Sequence, residues 1–213
     1  MNAITQIETY KMESSNMVRN LSSYEIYEFV RIVLEAYENE STIFACGNGG
    51  NASAVQNLVV DMNMHPFVSD DKDKANVSRN LFNCVSLTSC TATLTGISND
   101  LGYDRIFSEQ LRFQARKGDV LFCITGSGNS LNVIRAAEYA KSVGMKVVSV
   151  TRGVDSKCED VSDVVIHMHG PDSVFPGQVG KNNNNFHFED CISKIIHMAV
   201  GLLKQKVQIE NNS

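Results

Sequence analysis

Short apolar runs, each bounded by turn-forming residues, alternate with longer amphipathic stretches along most of the chain. The runs are rich in Val, Ile, Phe and Cys, which is typical of strands that are buried on both faces of a sheet. Strands of this kind belong mostly to parallel sheets, so the pattern predicts one here. The predicted strands lie at 42–46, 83–87, 120–125 and 146–151, with a weaker one at 164–168.

Amphipathic helices are predicted between these strands and at both ends of the chain. At 129–143, for example, Val133, Ile134, Ala137 and Ala140 form an apolar stripe at helical spacing. Because strands and helices alternate, right-handed crossovers place helices on both faces of the sheet. The other predicted helices lie at 4–20, 22–39, 52–62, 92–98 continuing to 103–115, and 188–207.

One α/β domain is the expected organisation. The chain has 213 residues, of which 43% are hydrophobic, and this is enough for one well-buried core. The domain is expected to span 1–207, with an N-terminal helical segment over about 1–40 and a polar tail at 208–213. The second N-terminal helix opens with the Ser-x-x-Glu pattern of a capping box, Ser22 to Glu25.

Two polar stretches interrupt the pattern, at 69–80 and 170–185. Solvated loops are the plainer interpretation of both. The second stretch ends beside His187 and Glu189, and for it the alternative is a lid or a role at the border of a site.

Charge and cysteine usage narrow the function classes. The net charge is −5 and no Lys/Arg run occurs, which argues against binding to a nucleic-acid backbone. The six cysteines include no Cys-x-x-Cys pair, and Cys46, Cys84 and Cys123 fall in predicted strands, where they are expected to be small buried residues. The N-terminus lacks a signal-peptide layout and no apolar stretch has membrane-spanning length, so a cytoplasmic, soluble protein is expected.

A glycine-rich loop follows the first predicted strand and leads into a helix, from Gly47 to Ser53. Glycines allow close backbone approach to a ligand, and the free N–H groups at a helix start attract an anion. The loop also fits a loose dinucleotide fingerprint, but the second strand ends without the required acid and no Lys-Ser/Thr pair follows the glycines. A nucleotide-dependent oxidoreductase is therefore the weakest hypothesis.

A second loop, rich in hydroxyl groups, follows the third predicted strand from Thr125 to Ser130. Its hydroxyls and free amides can bind phosphate oxygens without a fixed positive charge, which suits a phosphomonoester. A plain strand-to-helix turn with a Ser cap is the alternative. Two such loops at the ends of strands favour a ligand site, since open α/β sheets bind ligands there.

These two loops, together with the Ser-Asn-Asp-Leu-Gly-Tyr segment at 98–103 and the Gly-Asp-Val segment at 118–120, resemble the sugar isomerase (SIS) domain, and most closely phosphoheptose isomerases. The resemblance implies a five-stranded, flavodoxin-like parallel sheet and a homotetramer with active sites between subunits. It implies the conversion of sedoheptulose 7-phosphate to a heptose 7-phosphate. Position 126, Gly here, is commonly Thr in the family, so one ligand contact is expected to be missing. The residues that the resemblance assigns to substrate binding are Asn48, Gly49, Asn51, Thr125, Ser127, Asn129 and Ser130.

The chain departs from the family at its zinc-binding positions. Where the family has His, Glu, Gln and His, this chain has Asn57, Asp61, Glu189 and His197. Asn57 and Asp61 lie one helical turn apart, so the set is a candidate zinc site. The alternatives are a solvated helix end for Asp61 and an interface position for His197.

Aldose–ketose isomerisation through an enediol needs a base and an acid. Asp61 is assigned as base or metal ligand and His197 as acid or metal ligand, with Glu189 as the alternative base. His187 is expected to lie nearer to the site than His65, His167 or His169, although a partly exposed His at a helix start is the plainer interpretation.

Two function hypotheses follow from the resemblance. The first is an isomerase of a phosphorylated seven-carbon ketose, which feeds a polysaccharide pathway. The second is a non-catalytic SIS module that binds a sugar phosphate as a sensor or serves as an assembly factor. The changes at Asn57 and Asp61 favour the second hypothesis, and His197 together with Glu189 favours the first.

Overall fold

The computed structural model describes residues 2–68, 81–170 and 185–211. The two predicted polar loops at 69–80 and 170–185 lie outside these ranges except for Gly170 and Asn185. All five predicted strands and all the predicted helices fall within the described ranges, apart from residues at some boundaries.

Five parallel strands form one sheet in the order β2-β1-β3-β4-β5, as the flavodoxin-like expectation requires. β1 lies beside β3, and their last residues, Gly47 and Ile124, are in register. The loops that follow β1 and β3 therefore start side by side at one edge of the sheet. The strands are β1 Thr42–Gly47, β2 Asn83–Ser86, β3 Val120–Ile124, β4 Lys146–Thr151 and β5 Val164–His167.

The helices match the predicted ones closely, with two differences. The predicted 92–115 region divides into α4 and α5 around Gly102, whose φ of 103° suits glycine. α7 is missing from the sequence-based assignment, because five residues show no helical period; the capping box at Ser156 is its local signal. The helices are α1 Ala3–Arg19, α2 Ser23–Glu38, α3 Gly50–Met64, α4 Thr91–Leu101, α5 Ser108–Gln114, α6 Leu131–Ser142, α7 Lys157–Val161 and α8 Phe186–Asn211.

Alternate strand residues build two hydrophobic layers, one on each face of the sheet. Ile43 and Phe122 pack in the layer with α2, α3 and α8, whereas Phe44 and Leu121 pack in the layer with α5 and α6. This confirms helices on both faces. The strand cysteines are buried free thiols, as predicted: Cys46, Cys84 and Cys123.

Two local motifs stabilise this frame. The Ser22 hydroxyl accepts a hydrogen bond from the Glu25 amide at 3.2 Å, but the Glu25 carboxylate binds the amide of His167, so only half of the predicted capping box forms. Asp119 is buried and accepts hydrogen bonds from the amides of Thr42 and Arg116. The Gly-Asp-Val segment of the resemblance thus joins the starts of β1 and β3.

α8 is the longest helix, with 26 residues. In the ranges that the structure describes, it and the other helices fall short of the combined length and apolar character that a bilayer crossing requires.

Candidate active site

The loops after β1 and β3 are joined by a pair of amide side chains. Asn48 Nδ2 donates to Asn132 Oδ1 at 2.9 Å, and Asn132 Nδ2 donates back to Asn48 Oδ1 at 2.8 Å. Asn132 lies in the first turn of α6 and is 2% exposed. The turn around residue 48 therefore meets the start of α6, which directly follows the turn around residue 127, at one edge of the sheet.

The second loop presents hydroxyl groups to the start of α6. Thr125 is buried and its Oγ1 donates to Ser130 Oγ at 3.3 Å. Ser130 occupies the N-cap position of α6, but its side chain makes no capping hydrogen bond. The plain Ser cap is thus not what the structure shows, and the helix start keeps N–H groups that favour an anion.

Asn129 holds the loop in shape. Its Nδ2 donates to the carbonyl oxygen of Ser127 at 2.9 Å, and its Oδ1 accepts from the amide of Lys157 at 3.1 Å. The side chain of Asn129 therefore fastens the loop to α7, while the hydroxyl of Ser127 lies on the exposed side. Of these two predicted ligand residues, Ser127 is the better placed to bind a ligand.

The first loop leads into α3 through a backbone that only glycine adopts easily. Gly49 has φ 59° and ψ −125°. Asn51, one residue into α3, is 5% exposed. Within the described ranges, two buried side-chain oxygens have no hydrogen-bond partner, and they belong to Asn51 and Asn185. Buried polar atoms are nearly always paired, so an unpaired one beside these loops indicates a place for a polar ligand.

The first turn of α8 covers both loops. A Cβ atom placed on Gly126 would lie 3.0 Å from Asn185 Nδ2, and one placed on Gly50 would lie 2.7 Å from Glu189 Oε1. Asn185 and Glu189 are four residues apart and so face the same way. α8 thus brings a carboxamide to the second loop and a carboxylate to the first.

A cavity of 460 Å³ borders the first loop on its other side. Asn48, Thr88, Ser98 and Tyr103 are among its lining residues. The hydroxyl of Tyr103 donates to Asn48 Oδ1 at 3.0 Å, so the 98–103 segment is tied directly to the loop. Tyr103 and the paired Asn132 were not assigned to the site from the sequence, although both lie in motifs that carry the resemblance.

Asp61 and His197 are in contact, as their assigned roles require. His197 Nε2 lies 3.3 Å from Asp61 Oδ2, and His65 Nε2 lies 3.3 Å from Asp61 Oδ1. The Asp61 side chain is 14% exposed, whereas the imidazole of His197 is 69% exposed. The pair therefore combines a partly buried carboxylate with an accessible imidazole.

The expectation that His187 lies nearer to the site than His65, His167 or His169 stays a prediction, and the contacts of His187 are made with α1. His187 is buried, with Nδ1 at 2.9 Å from Ser14 Oγ and Nε2 at 3.0 Å from Glu13 Oε2, and its ring stacks on Tyr10. These contacts fasten α8 to α1. The histidine that contacts Asp61, besides His197, is His65.

Comparison with known proteins identifies the family. A family model described as the SIS domain matches residues 9–152. The chain belongs to the SIS domain family. A phosphoheptose isomerase of Helicobacter pylori is 34% identical over 144 residues, which cover 68% of this chain and 70% of that protein. One of Pelodictyon phaeoclathratiforme is 29% identical over 199 residues, covering 92% and 84%. The solved phosphoheptose isomerase of Neisseria gonorrhoeae matches with a TM-score of 0.79 at 26% identity and covers 96% of this chain and 100% of its own.

In this SIS domain the candidate metal ligands Glu189 and Asp61 lie far apart. Glu189 lies at Gly50, the first residue of α3, whereas Asp61 lies eleven residues further along that helix. At 1.5 Å per residue this separation is about 16 Å. In the described part of the chain, no group of three or more His, Cys, Asp or Glu residues is placed to hold a metal ion. The donors of one chain do not fit a single zinc ion, and zinc binding stays a prediction from the resemblance.

Glu189 has the electrostatics of a carboxyl group that resists ionisation. Burial raises the pKa of its carboxyl above the ordinary value, and the neighbouring Asp190 carboxylate raises this pKa further. The neutral form therefore persists to higher pH than in an exposed Glu. A neutral carboxyl group has one donor and one acceptor, much like the Gln side chain that the resemblance assigns to this position.

We expect Glu189→Gln to retain turnover within about threefold, because Gln mimics the neutral carboxyl group. As pH rises through the raised pKa, Glu189 ionises and its charge weakens phosphate binding; the Gln variant has no such charge. The dissociation constant of wild type for sedoheptulose 7-phosphate, divided by that of Glu189→Gln, should therefore grow with pH. Both constants are measured by calorimetry at several pH values. A loss of turnover of about a hundredfold would instead make Glu189 the catalytic base.

Proposed function

We propose that this chain is a phosphosugar isomerase that interconverts sedoheptulose 7-phosphate and an aldose heptose 7-phosphate. The observation that carries the proposal is the meeting of the two loops at the ends of β1 and β3, fixed by Asn48 and Asn132. Hydroxyl groups and helix-start amides converge there, and the unpaired Asn51 oxygen can accept a hydrogen bond from a sugar hydroxyl. The named relatives are phosphoheptose isomerases, which supports the same substrate class.

The reaction moves protons without an external oxidant. A base removes a proton from C1 of the ketose while an acid protonates the carbonyl oxygen at C2, and this gives an enediol. The enediol then loses the O1 proton and gains a proton at C2, so that the aldose forms and every proton is returned. We assign Asp61 as the base and His197 as the acid, since their 3.3 Å contact lets the two groups exchange a proton.

The Asp61–His197 pair lies too far from the loops of its own chain to share one substrate with them. The pair is about 16 Å along α3 from Gly50, at the loops. Seven bonds of about 1.5 Å in a zigzag place the C2 carbonyl of the sugar only roughly 9 Å from its phosphorus. The pair of one subunit is therefore proposed to act on a sugar held by the loops of another.

A surface beside His197 supports this shared site. A groove of 590 Å³ between α2 and α8 is lined by Ile26, His197, Met198 and Leu202. Met198 and Leu202 are about two-fifths exposed in the single chain. A second copy that packs on this groove would bury its apolar surface and exclude water from His197. We propose a homotetramer with active sites between subunits.

The direct test is to incubate the purified protein with sedoheptulose 7-phosphate and follow the product by NMR. An aldose heptose 7-phosphate is expected, with exchange of the C1 proton into solvent as the mark of an enediol. Tight binding of the sugar phosphate with no product would contradict the isomerase and favour a sensor module.

The same NMR assay tests whether turnover requires a metal ion. Because the candidate donors among the described residues of one chain are dispersed, turnover that persists after dialysis against EDTA would show that no metal ion is needed. A loss of turnover that added zinc restores would show instead that neighbouring subunits complete a metal site. Metal analysis of the purified protein gives a readout that does not depend on activity.

A further inference from the structure

Asn185 occupies the space that a side chain at position 126 would fill. A Cβ atom on Gly126 would lie 2.9 Å from Asn185 Cγ and 3.0 Å from Asn185 Nδ2. Real Cβ atoms do not approach other heavy atoms so closely, so a larger residue at 126 would require the Asn185 side chain to move away. The glycine in the hydroxyl-rich loop is therefore matched to the asparagine.

The carboxamide oxygen of Asn185 makes no hydrogen bond within the described part of the chain. Asn185 immediately precedes α8, where an Asn side chain usually caps the helix by accepting from a backbone N–H through Oδ1. Asn185 Oδ1 is shielded from solvent and has no partner among the described residues, so it makes no such cap. An unmade hydrogen bond of this kind costs stability, which a donor such as a sugar hydroxyl would recover, while the amide nitrogen of the same side chain is left to donate to a phosphate oxygen.

The Asn185 side chain lies beside the hydroxyl-rich loop, which is the proposed site of the phosphate group. Gly126 lies between Thr125, whose buried hydroxyl contacts Ser130, and Ser127 on the exposed side of the loop. A carboxamide at this place carries two N–H donors for phosphate oxygens and one acceptor for a sugar hydroxyl. It also adds no charge, in keeping with the rest of the loop.

We propose that Asn185 is a substrate-binding residue that hydrogen-bonds the phosphate end of the sugar phosphate, in the place that a side chain at position 126 would take. This inference rests on the proposed function for the identity of the sugar. It goes beyond that function because Asn185 comes from the start of α8, not from either phosphate-binding loop.

The test measures binding, not turnover. Dissociation constants for sedoheptulose 7-phosphate and for inorganic phosphate are measured by calorimetry for four proteins: wild type, Asn185→Ala, Asn185→Asp and the double variant Gly126→Thr/Asn185→Ala. Asn185→Asp is the matched control, because Asp has the same shape and caps helices as well as Asn but repels phosphate. Thermal unfolding without ligand checks that each variant folds.

We expect Asn185→Ala to weaken binding of both ligands about tenfold, as the loss of a hydrogen bond to a charged group predicts. Asn185→Asp should bind at least as weakly. The double variant should return to within about threefold of wild type, because the threonine introduced by Gly126→Thr fills the vacated space with a hydroxyl group.

Three results would overturn the proposal: binding by Asn185→Ala within about twofold of wild type, wild-type binding by Asn185→Asp, or a double variant as weak as Asn185→Ala. The second result would mean that the carboxamide nitrogen of Asn185 does not contact the ligand. If wild type binds phosphate but does not isomerise the sugar, the proposed function fails while the Asn185 comparison remains decisive.

Discussion

His197→Ala is expected to lower the kcat for sedoheptulose 7-phosphate by about a thousandfold while leaving its dissociation constant within about threefold. In the proposed mechanism the imidazole acts on the carbonyl oxygen, away from the phosphate end of the sugar, so its contribution is largest in the transition state. NMR assays give kcat, and calorimetry gives the dissociation constant.

His65→Ala is the matched control for this experiment. His65 contacts the other oxygen of the Asp61 carboxylate at the same distance of 3.3 Å, and its side chain is 63% exposed against 69% for His197. If only His197 serves as the acid, the His65 variant should keep kcat within about threefold. Equal losses of turnover in both variants, or parallel losses of turnover and affinity in His197→Ala, would contradict the assigned role.

The sheet could be predicted from the sequence because its strands are buried on both faces. In β3 every residue is apolar, and in β4 every residue after Lys146 is buried, so a short run bounded by turn residues marks each strand within one or two residues. α7 could not be predicted in the same way, because five residues are too few to show the helical period of 3.6 residues. Its capping box at Ser156 and Glu159 was the available signal.

The site was predictable only where its residues follow directly from a strand end. Asn48 and Ser130 stand in loops that topology brings together, so their proximity follows from the order of the strands. The contact of His65 with Asp61 follows from their spacing of four residues, whereas His187 pairs with α1, a segment distant in the chain. Spacing along the chain carries no information on such contacts, because they depend on how helices pack.

The position of Asn185 illustrates the same limit. In the sequence it is the last residue of a polar stretch that reads as a solvated loop. The structure places it against Gly126, fifty-nine residues earlier in the chain, at the position where a contact was expected to be missing. Gly126 and Asn185 have to be considered together, because the Asn185 side chain lies in the space beside the glycine.

Mixing two inactive variants should restore turnover, because the proposed site combines residues of different subunits. His197→Ala removes the acid but keeps the loops, and Ser127→Asp puts a negative charge beside the phosphate while keeping the acid. Ser127 is exposed, so the substitution should not disturb folding. After co-expression or joint refolding, random assembly gives about a quarter of the sites an intact loop from one subunit and an intact acid from another.

Turnover near a quarter of wild type is therefore expected from the mixture, measured on oligomers purified through a different tag on each variant. The control mixes His197→Ala with the double variant His197→Ala/Ser127→Asp, which assembles equally well but cannot form any complete site. A mixture as inactive as this control would contradict the shared site, and it would require α3 and α8 to rearrange so that Asp61 and His197 reach a sugar held by the loops of their own chain.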